Sequence, residues 1–427
     1  MKNRIFTFTV FALAFTLFSG CFKEKSGAVV ENEKEIHIRV WESKNGIDSF
    51  IKEAGKAYTE KNPHIIIDFI NVELHNSVDT LANDAPKGVA ADIIAAPHDN
   101  LGALVTKKLI LPTENPKDIS KQVLGACSKA LTYNGTMYGY PASAETYALF
   151  YNKNYIGENE VPKSWEELVL WVQKFNKEHP GKYGFVMDVT NGYYSILFTT
   201  SNGNRLYGDS GADANSPNMN TPAAVKGIKF FQSLRKSLGL ENAELSTSSC
   251  DGMFASGNAA MHITGLWNVN TFESAGLNFG VACIPSLPGE SKPAASFSGT
   301  RGMFVTAASK HPKEAFEVLT YLVTTASDDL LNIYGGMPAI TSKQDAFLDS
   351  FFKERYPHVT VNTKVIKDSV AYADNPNHES WMPSFQEAST CYTEFWTNLT
   401  NNPGLNVDEE AAQLKKNLDV IFAAATK

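Results

Sequence analysis

The chain has 427 residues, of which 43% are hydrophobic and 20% are charged, and its formal net charge is −8. This composition is typical of a globular protein, and the acidic balance argues against nucleic acid or another polyanion as a partner. Because one hydrophobic core stops growing at about 250–300 residues, the length predicts two domains.

The first 21 residues have the pattern of an export signal. Lys2 and Arg4 precede an uncharged apolar run over residues 5–18, and two small residues then lead to Cys21. The run is shorter than the roughly 20 residues of a membrane-spanning helix, and its flanks are those of a secretory signal. Small residues before a cysteine resemble the lipobox of bacterial lipoproteins, which implies acylation of Cys21 and a membrane anchor. The alternative is an ordinary cleaved signal followed by an unrelated cysteine.

Residues 22–35 are rich in Lys, Glu, Ser and Asn and offer little for a core to bury, so we expect a flexible tether there. Downstream, short apolar strands alternate with amphipathic helices, which indicates an α/β fold with mainly parallel sheets. We predict strands at residues 36–41, 65–72 and 92–96, and a helix at residues 47–61.

Three further helices have clear start signals. Ser164 opens a capping box, and Pro222 and Pro312 suit the first turn of a helix. The helix that follows Ser164 carries an apolar stripe. We therefore expect its two tryptophans, Trp165 and Trp171, to pack in the core rather than to contact a ligand.

The four cysteines after Cys21 are widely separated and have neither CxxC nor zinc-finger spacing. They are Cys127, Cys250, Cys283 and Cys391. Some could pair in an oxidising compartment, or all four could be buried free thiols. A chain of this size does not need disulfides for stability.

Three separated segments carry more specific motifs. They read ADIIAAPHDN at residues 91–100, YNGTMYGYPASAETYALFYNK at residues 133–153, and FASGNAAMHITGLW at residues 254–267. Together with shorter matches at residues 312–316 and 336–339, they resemble the extracellular solute-binding proteins of ABC sugar importers, most closely the maltose-binding group. The resemblance runs in order from residue 36 to the C-terminus.

The resemblance implies the two-lobed, type II periplasmic-binding-protein fold, with the ligand in a cleft between the lobes. The chain is then expected to cross the hinge three times, near residues 144–147, 284–287 and 325–330. The implied N-terminal lobe comprises residues 36–143 and 286–326, and the C-terminal lobe comprises residues 147–283 and 330–427. Hinge closure of this kind buries a small molecule between two domains.

Proteins of this family catalyse nothing and need no cofactor or metal. They deliver a bound sugar or oligosaccharide to an ABC importer permease. The resemblance therefore implies an exported monomer, periplasmic or on the cell surface, that is held to a membrane through Cys21.

A sugar presents apolar C–H faces and a rim of hydroxyl groups, so its site needs flat aromatic rings and polar side chains. By resemblance, Asp99 and Glu145 match family carboxylates, whereas Trp267, Tyr193 and Tyr392 match aromatic platforms. Asp99 could instead be a solvated loop acid or helix cap, and Trp267 could be a buried packing residue. The complete set of predicted ligand-binding residues is Glu42, Lys44, Asp99, Glu145, Asn191, Tyr193, Trp267, Tyr392 and Trp396. We expect the neighbouring His98 to be a structural loop residue.

Several positions depart from the maltodextrin pattern. Ala96 stands where that group has a stacking tryptophan, Asn100 and Trp396 each replace an arginine, and Asn191 replaces a glutamate. The expected site is therefore less charged on one wall and more aromatic on another, which favours a sugar or oligosaccharide without specifying maltose.

Three other functions remain open. The same fold could bind a sugar phosphate, a polyol or an amine, but an anion would need Arg or Lys, and the predicted site is mostly acidic, amide and aromatic. A tethered glycoside hydrolase could use Asp99 and Glu145 as its two carboxylates. The sequence contains no GxSxG, HExxH or P-loop motif. A receptor that binds the ligand only to signal would have the same sequence features.

Overall fold

The computed structural model describes residues 34–44, 47–208, 213, 215–241, 243–291, 294, 296, 299–325, 337–344 and 385–425. The predicted export signal, Cys21 and most of the predicted tether lie outside these residues, as do residues 326–330 of the third expected hinge crossing. Within the described part of the chain, no helix is both long and apolar enough to cross a membrane.

Strands and helices alternate along most of the described chain. The strands are β1 (Ile36–Glu42), β2 (Ile65–Asn71), β3 (Ile93–Pro97), β4 (Thr132–Tyr133), β5 (Thr136–Met137), β6 (Tyr140–Glu145), β7 (Tyr147–Asn152), β8 (Met261–Gly265), β9 (Phe279–Ala282) and β10 (Gly299–Val305). The helices are α1 (Ile47–Thr59), α2 (Ser77–Asp84), α3 (Leu101–Thr106), α4 (Pro116–Gln122), α5 (Gly125–Ala130), α6 (Trp165–Glu178), α7 (Gly192–Ser195), α8 (Pro222–Ser237), α9 (Thr247–Ala255), α10 (Val269–Ser274), α11 (Pro312–Thr320), α12 (Phe385–Asn401) and α13 (Val407–Ala425).

Two sheets organise the fold. A five-stranded sheet has the order β2-β1-β3-β10-β6, and a three-stranded sheet has the order β8-β7-β9. The chain passes from the first sheet to the second at Thr146, between β6 and β7, and returns between β9 and β10. These passages fall in the regions of the first two expected hinge crossings, whereas the lobe boundaries remain a prediction.

The prediction of mainly parallel sheets is correct only for the early strands. β1 pairs in parallel with both β2 and β3, but β10 is antiparallel to β3 and β6, and β7 is antiparallel to β8 and β9. The reason lies in the connections, since β10 enters the first sheet from the second one. β10 therefore starts at the end of the sheet where β1, β3 and β6 finish. The candidate site lies at this end of the strands.

The local predictions agree with the observed elements. The three predicted strands and the predicted helix correspond to β1, β2, β3 and α1. Ser164 Oγ accepts the backbone N–H of Glu167 at 3.2 Å, as expected of an N-cap. Trp165 is fully buried against Phe185 and Phe198, which confirms its predicted place in the core.

Candidate binding site

A cavity of about 650 Å³ lies at the strand ends of the two sheets. Its volume is within the usual range for small-molecule sites. Five of the nine residues predicted to bind ligand line it, namely Lys44, Asp99, Glu145, Tyr193 and Trp267. Other polar residues in its wall are Ser43, His98, Ser143, Thr146, Asn268, Thr271 and Arg301.

The two predicted carboxylates come from the same end of the first sheet, where β3 and β6 end on either side of β10. Asp99 lies in a short 3-10 turn directly after β3, where its Oδ1 accepts a hydrogen bond from Asn100 Nδ2 at 3.1 Å. Glu145 is the last residue of β6, and its Oε1 accepts from Ser143 Oγ at 3.1 Å. Burial, and secondly the charge of Glu145, raise the pKa of Asp99 to about 7. Near neutral pH the pair therefore offers both a hydrogen-bond donor and several acceptors.

His98 is buried in the wall beside these carboxylates. Its Nδ1 accepts the backbone N–H of Thr300 at 3.3 Å. Burial lowers the pKa of His98 to about 4, so the ring is neutral at physiological pH. A Cβ atom on Gly299 would lie 3.0 Å from His98 Cε1. The close approach of β10 to this ring agrees with the structural role that we predict for His98.

Two aromatic rings form a second wall of the cavity. The ring centroids of Tyr193 and Trp267 are 6.2 Å apart, with an interplanar angle of 49°. Trp267 is 46% exposed, whereas Tyr193 is partly buried and meets Tyr147 edge-on at 5.1 Å. A large exposed aromatic beside a polar cavity is unusual for a packing residue. It offers a flat surface to the apolar face of a ligand.

Asn191 supports this wall without lining the cavity. Its Oδ1 accepts the backbone N–H of Tyr193 at 2.9 Å, so it caps the short helix α7. Asp188 Oδ1 accepts the backbone N–H groups of Thr190 and Asn191, each at 3.1 Å, and holds the preceding turn. Together these bonds determine the position of Tyr193.

Tyr392 and Trp396 are not brought to the cavity wall. Both are buried on α12, where Tyr392 is hydrogen-bonded to the hydroxyl of Tyr207 and the Trp396 ring lies 4.7 Å from that of Phe231. A Cβ atom on Gly192 would approach Tyr392 Cβ to 3.0 Å. The two aromatics therefore pack behind the segment that carries Tyr193.

Glu42 lies behind the wall, and Arg301 lies in it. Glu42 is 1% exposed, and its Oε1 is 3.1 Å from Arg301 Nη1. Burial raises the pKa of Glu42 to about 7, although the charge of Arg301 opposes the shift. The residues predicted from the sequence do not include Arg301. A lone arginine in the otherwise uncharged strand GTRGMFV was the signal that could have revealed it.

Asn268 is a second residue that the motifs did not reveal. Its Nδ2 donates to Thr264 Oγ1 at 2.8 Å, and Thr264 donates to Asp251 Oδ1 at 3.2 Å. These bonds fix an amide in the cavity wall one position after Trp267. Within the described residues, no group of three or more His, Cys, Asp or Glu side chains is arranged to hold a metal ion.

The chain is similar in sequence to several known binding proteins. Residues 53–361 match the family model described as "Bacterial extracellular solute-binding protein". The chain is 29% identical over 330 residues to the galactooligosaccharide-binding protein of Bacillus subtilis (strain 168), covering 75% of this chain and 77% of that one. It is 27% identical over 309 residues to a maltooligosaccharide ABC transporter solute-binding lipoprotein of Streptococcus pneumoniae, covering 70% of each.

Solved structures show the same fold. A cyclo/maltodextrin-binding protein complexed with maltotetraose superposes with a TM-score of 0.75 and 28% identity, over 90% of this chain and 98% of that one. The maltose-binding protein MalE of Listeria monocytogenes has a TM-score of 0.76 at 21% identity, over 92% of this chain and 98% of that one, which supports the fold alone. The chain therefore belongs to the bacterial extracellular solute-binding protein family and has the type II periplasmic-binding fold.

Proposed function

We propose that this protein captures a neutral sugar or oligosaccharide in the cavity and delivers it to an ABC importer. The observation that carries the proposal is that one cavity is lined both by the exposed ring of Trp267 beside Tyr193 and by the carboxyl groups of Asp99 and Glu145. This combination suits a ring with apolar faces and a hydroxyl rim. The relatives named for galactooligosaccharides and maltooligosaccharides support the same class.

The two walls contribute to binding in different ways. A stacked aromatic adds about 1 kcal/mol, by analogy with aromatic pairs. A buried polar group without a partner costs about 1 to 3 kcal/mol. Selectivity among sugars therefore depends mainly on Asp99, Glu145 and the polar residues around them, while Trp267 and Tyr193 add affinity with less discrimination.

The location of the protein forms part of the proposal. The export signal and Cys21 support an exported lipoprotein, and the relative from Streptococcus pneumoniae carries that word in its name. Mass spectrometry of the mature protein tests this directly, because an acylated N-terminal cysteine has a lipid-sized mass increment. Cys21→Ser should abolish both the increment and membrane association.

The function itself is tested by binding and turnover together. The full chain in mild detergent is titrated with galactooligosaccharides, maltooligosaccharides, sugar phosphates, polyols and polyamines, and the fluorescence of the exposed Trp267 reports occupancy. A ligand at one hundred times its dissociation constant should also add about 2.7 kcal/mol to the free energy of unfolding. Binding of a neutral sugar supports the proposal, whereas binding of only phosphates or amines contradicts it.

A glycoside hydrolase is the second candidate, because the raised pKa of Asp99 beside Glu145 is the arrangement of an acid and its partner carboxylate. Prolonged incubation with the same oligosaccharides decides between the two functions. Shorter sugars appear over time if the pair is catalytic. An unchanged ligand that is recovered quantitatively after denaturation supports a binding protein.

A further inference from the structure

Glu42 and Arg301 form an ion pair between strands that are not neighbours. In the sheet order, β3 separates β1, which carries Glu42, from β10, which carries Arg301. Arg301 pairs with Pro97 at the end of β3, and its side chain extends across that strand end. Nη1 lies 3.1 Å from Glu42 Oε1, and Nη2 donates to Ser43 Oγ at 3.4 Å.

The two partners differ in their access to the cavity. Arg301 lines the cavity and is 13% exposed, whereas Glu42 is 1% exposed and lies behind it. Glu42 Oε2 also accepts the backbone N–H of Ser43 at 3.2 Å. Burial of an ion is costly unless a partner and hydrogen bonds compensate it. Above its pKa of about 7, Glu42 is mainly ionised, so it holds the guanidinium in the wall and cancels much of its charge.

Neutralisation of Arg301 affects which ligands the cavity can bind, because other charged residues line the same cavity. Among the described residues, the acids Asp99 and Glu145 and the exposed Lys44 also line the cavity. A guanidinium carries five N–H donors in a planar fork, and this fork binds a carboxylate or phosphate strongly when its charge is not compensated. When Glu42 compensates it, the donors remain but the attraction for an anion is lost.

We propose that Arg301 is a specificity-determining residue of the sugar site, which donates to a neutral sugar hydroxyl while Glu42 excludes anionic sugars by cancelling its charge. This inference rests on the proposed sugar-binding function and extends it to a choice between neutral and acidic sugars. The resemblance to maltodextrin-binding proteins did not indicate it, because Arg301 lies outside the matched motifs.

The test compares neutral and acidic sugars of the same length and linkage. Calorimetric titration uses the full chain in mild detergent with maltotriose and α-1,4-galactotriose, each beside its C6-oxidised uronate. We expect the wild type to prefer the neutral sugar. Glu42→Gln should shift the affinity ratio towards the uronate by roughly tenfold or more. The double variant Glu42→Gln/Arg301→Met should restore exclusion of the uronate and bind the neutral sugar more weakly.

Asp92→Asn is the matched control. Asp92 is a buried acid directly before β3, its Oδ2 lies 3.8 Å from Arg39 Nε, and it does not line the cavity. This variant should lose stability without any change in the ratio of neutral to acidic affinity. A purely structural role for Glu42 would make Glu42→Gln behave in the same way, and that result overturns the inference.

Three further outcomes are decisive. If circular dichroism shows that Glu42→Gln is unfolded, the affinities of Arg301→Met and of the double variant for the neutral sugar are measured instead. A loss of at least about fivefold relative to the wild type supports the inference, and a smaller loss overturns it. If the wild type binds no neutral sugar, both the proposed function and this inference are wrong. If the wild type binds the neutral sugar and a folded Glu42→Gln keeps the wild-type ratio, the inference alone fails.

Discussion

The ring of Trp267 lies directly against Gly265, so closely that a Cβ atom on this glycine would be 2.1 Å from the indole. Gly265 ends β8, and Trp267 follows in a short 3-10 turn. The absence of a side chain at residue 265 therefore determines where the exposed aromatic wall of the cavity lies.

Gly265→Ala should displace the Trp267 ring and weaken sugar binding by roughly tenfold or more. The measurement is a fluorescence titration with the neutral sugar identified for the wild type. Gly252→Ala on α9 is the matched control, because no atom lies within 4 Å of its new Cβ. The control should retain its affinity and gain about 0.5–1 kcal/mol of stability from helix propensity. Equal affinity for both variants would contradict the role of Gly265.

Trp267→Ala and Glu145→Ala should each weaken sugar binding by roughly tenfold or more without unfolding the protein. Both side chains line the cavity, and neither is part of the buried core. Trp171→Ala should instead lower stability, because Trp171 stacks on Phe175 at 5.1 Å and lies away from the cavity. Calorimetry for affinity and urea unfolding for stability separate the two effects. The same loss of affinity in all three variants would disprove the assigned site.

Asn191→Ala should reduce both stability and affinity. Loss of an N-cap costs about 1 kcal/mol, and here the cap also positions Tyr193 in the cavity wall. Ser164→Ala removes a similar cap from α6, far from the site, and serves as the control. It should lose stability alone. If both variants bind sugar as tightly as the wild type, Asn191 has no role in positioning the aromatic wall.

Asp99→Asn should stabilise the protein more strongly at pH 8 than at pH 5. Because the pKa of Asp99 rises from 3.8 to about 7 on folding, the folded state keeps a proton that the unfolded state has released between these values. The free energy of unfolding therefore falls as pH rises through this window. Asparagine resembles the protonated acid, so the variant avoids this loss.

Comparing the Asp99→Asn variant with the wild type also removes the contributions of other titrating groups to the pH dependence of stability. The pKa of Glu42 is raised in the same direction, and that of His98 is lowered, so that His98 opposes the trend between pH 4 and 6.5. Both contributions are present in both proteins and largely cancel in the difference. Urea unfolding at pH 5 and pH 8 measures the difference in the free energy of unfolding between the two proteins. A difference between the two proteins that does not change with pH would show that Asp99 is ionised throughout.

The sequence by itself was enough to identify the family, the local elements and five of the residues that line the candidate site. Apolar periodicity, the cap at Ser164 and the proline at residue 222 are encoded within a few neighbouring residues, which is why they predict helix and strand positions well. The three motifs likewise carried Asp99, Glu145 and Trp267, because each lies inside a short segment with a recognisable pattern. Glu42, Tyr392 and Trp396 have suitable chemistry, but nothing in their neighbourhood reveals which way their side chains face.

Only the tertiary structure decided which side chains share the cavity. Ser43 and Arg301 are 258 positions apart and meet because β10 returns antiparallel beside β3. Tyr392 and Trp396 are buried because α12 packs behind Gly192, where there is no room for a side chain. Such outcomes depend on strand order and on close packing between distant segments, whereas sequence patterns record only the interactions of residues with their near neighbours.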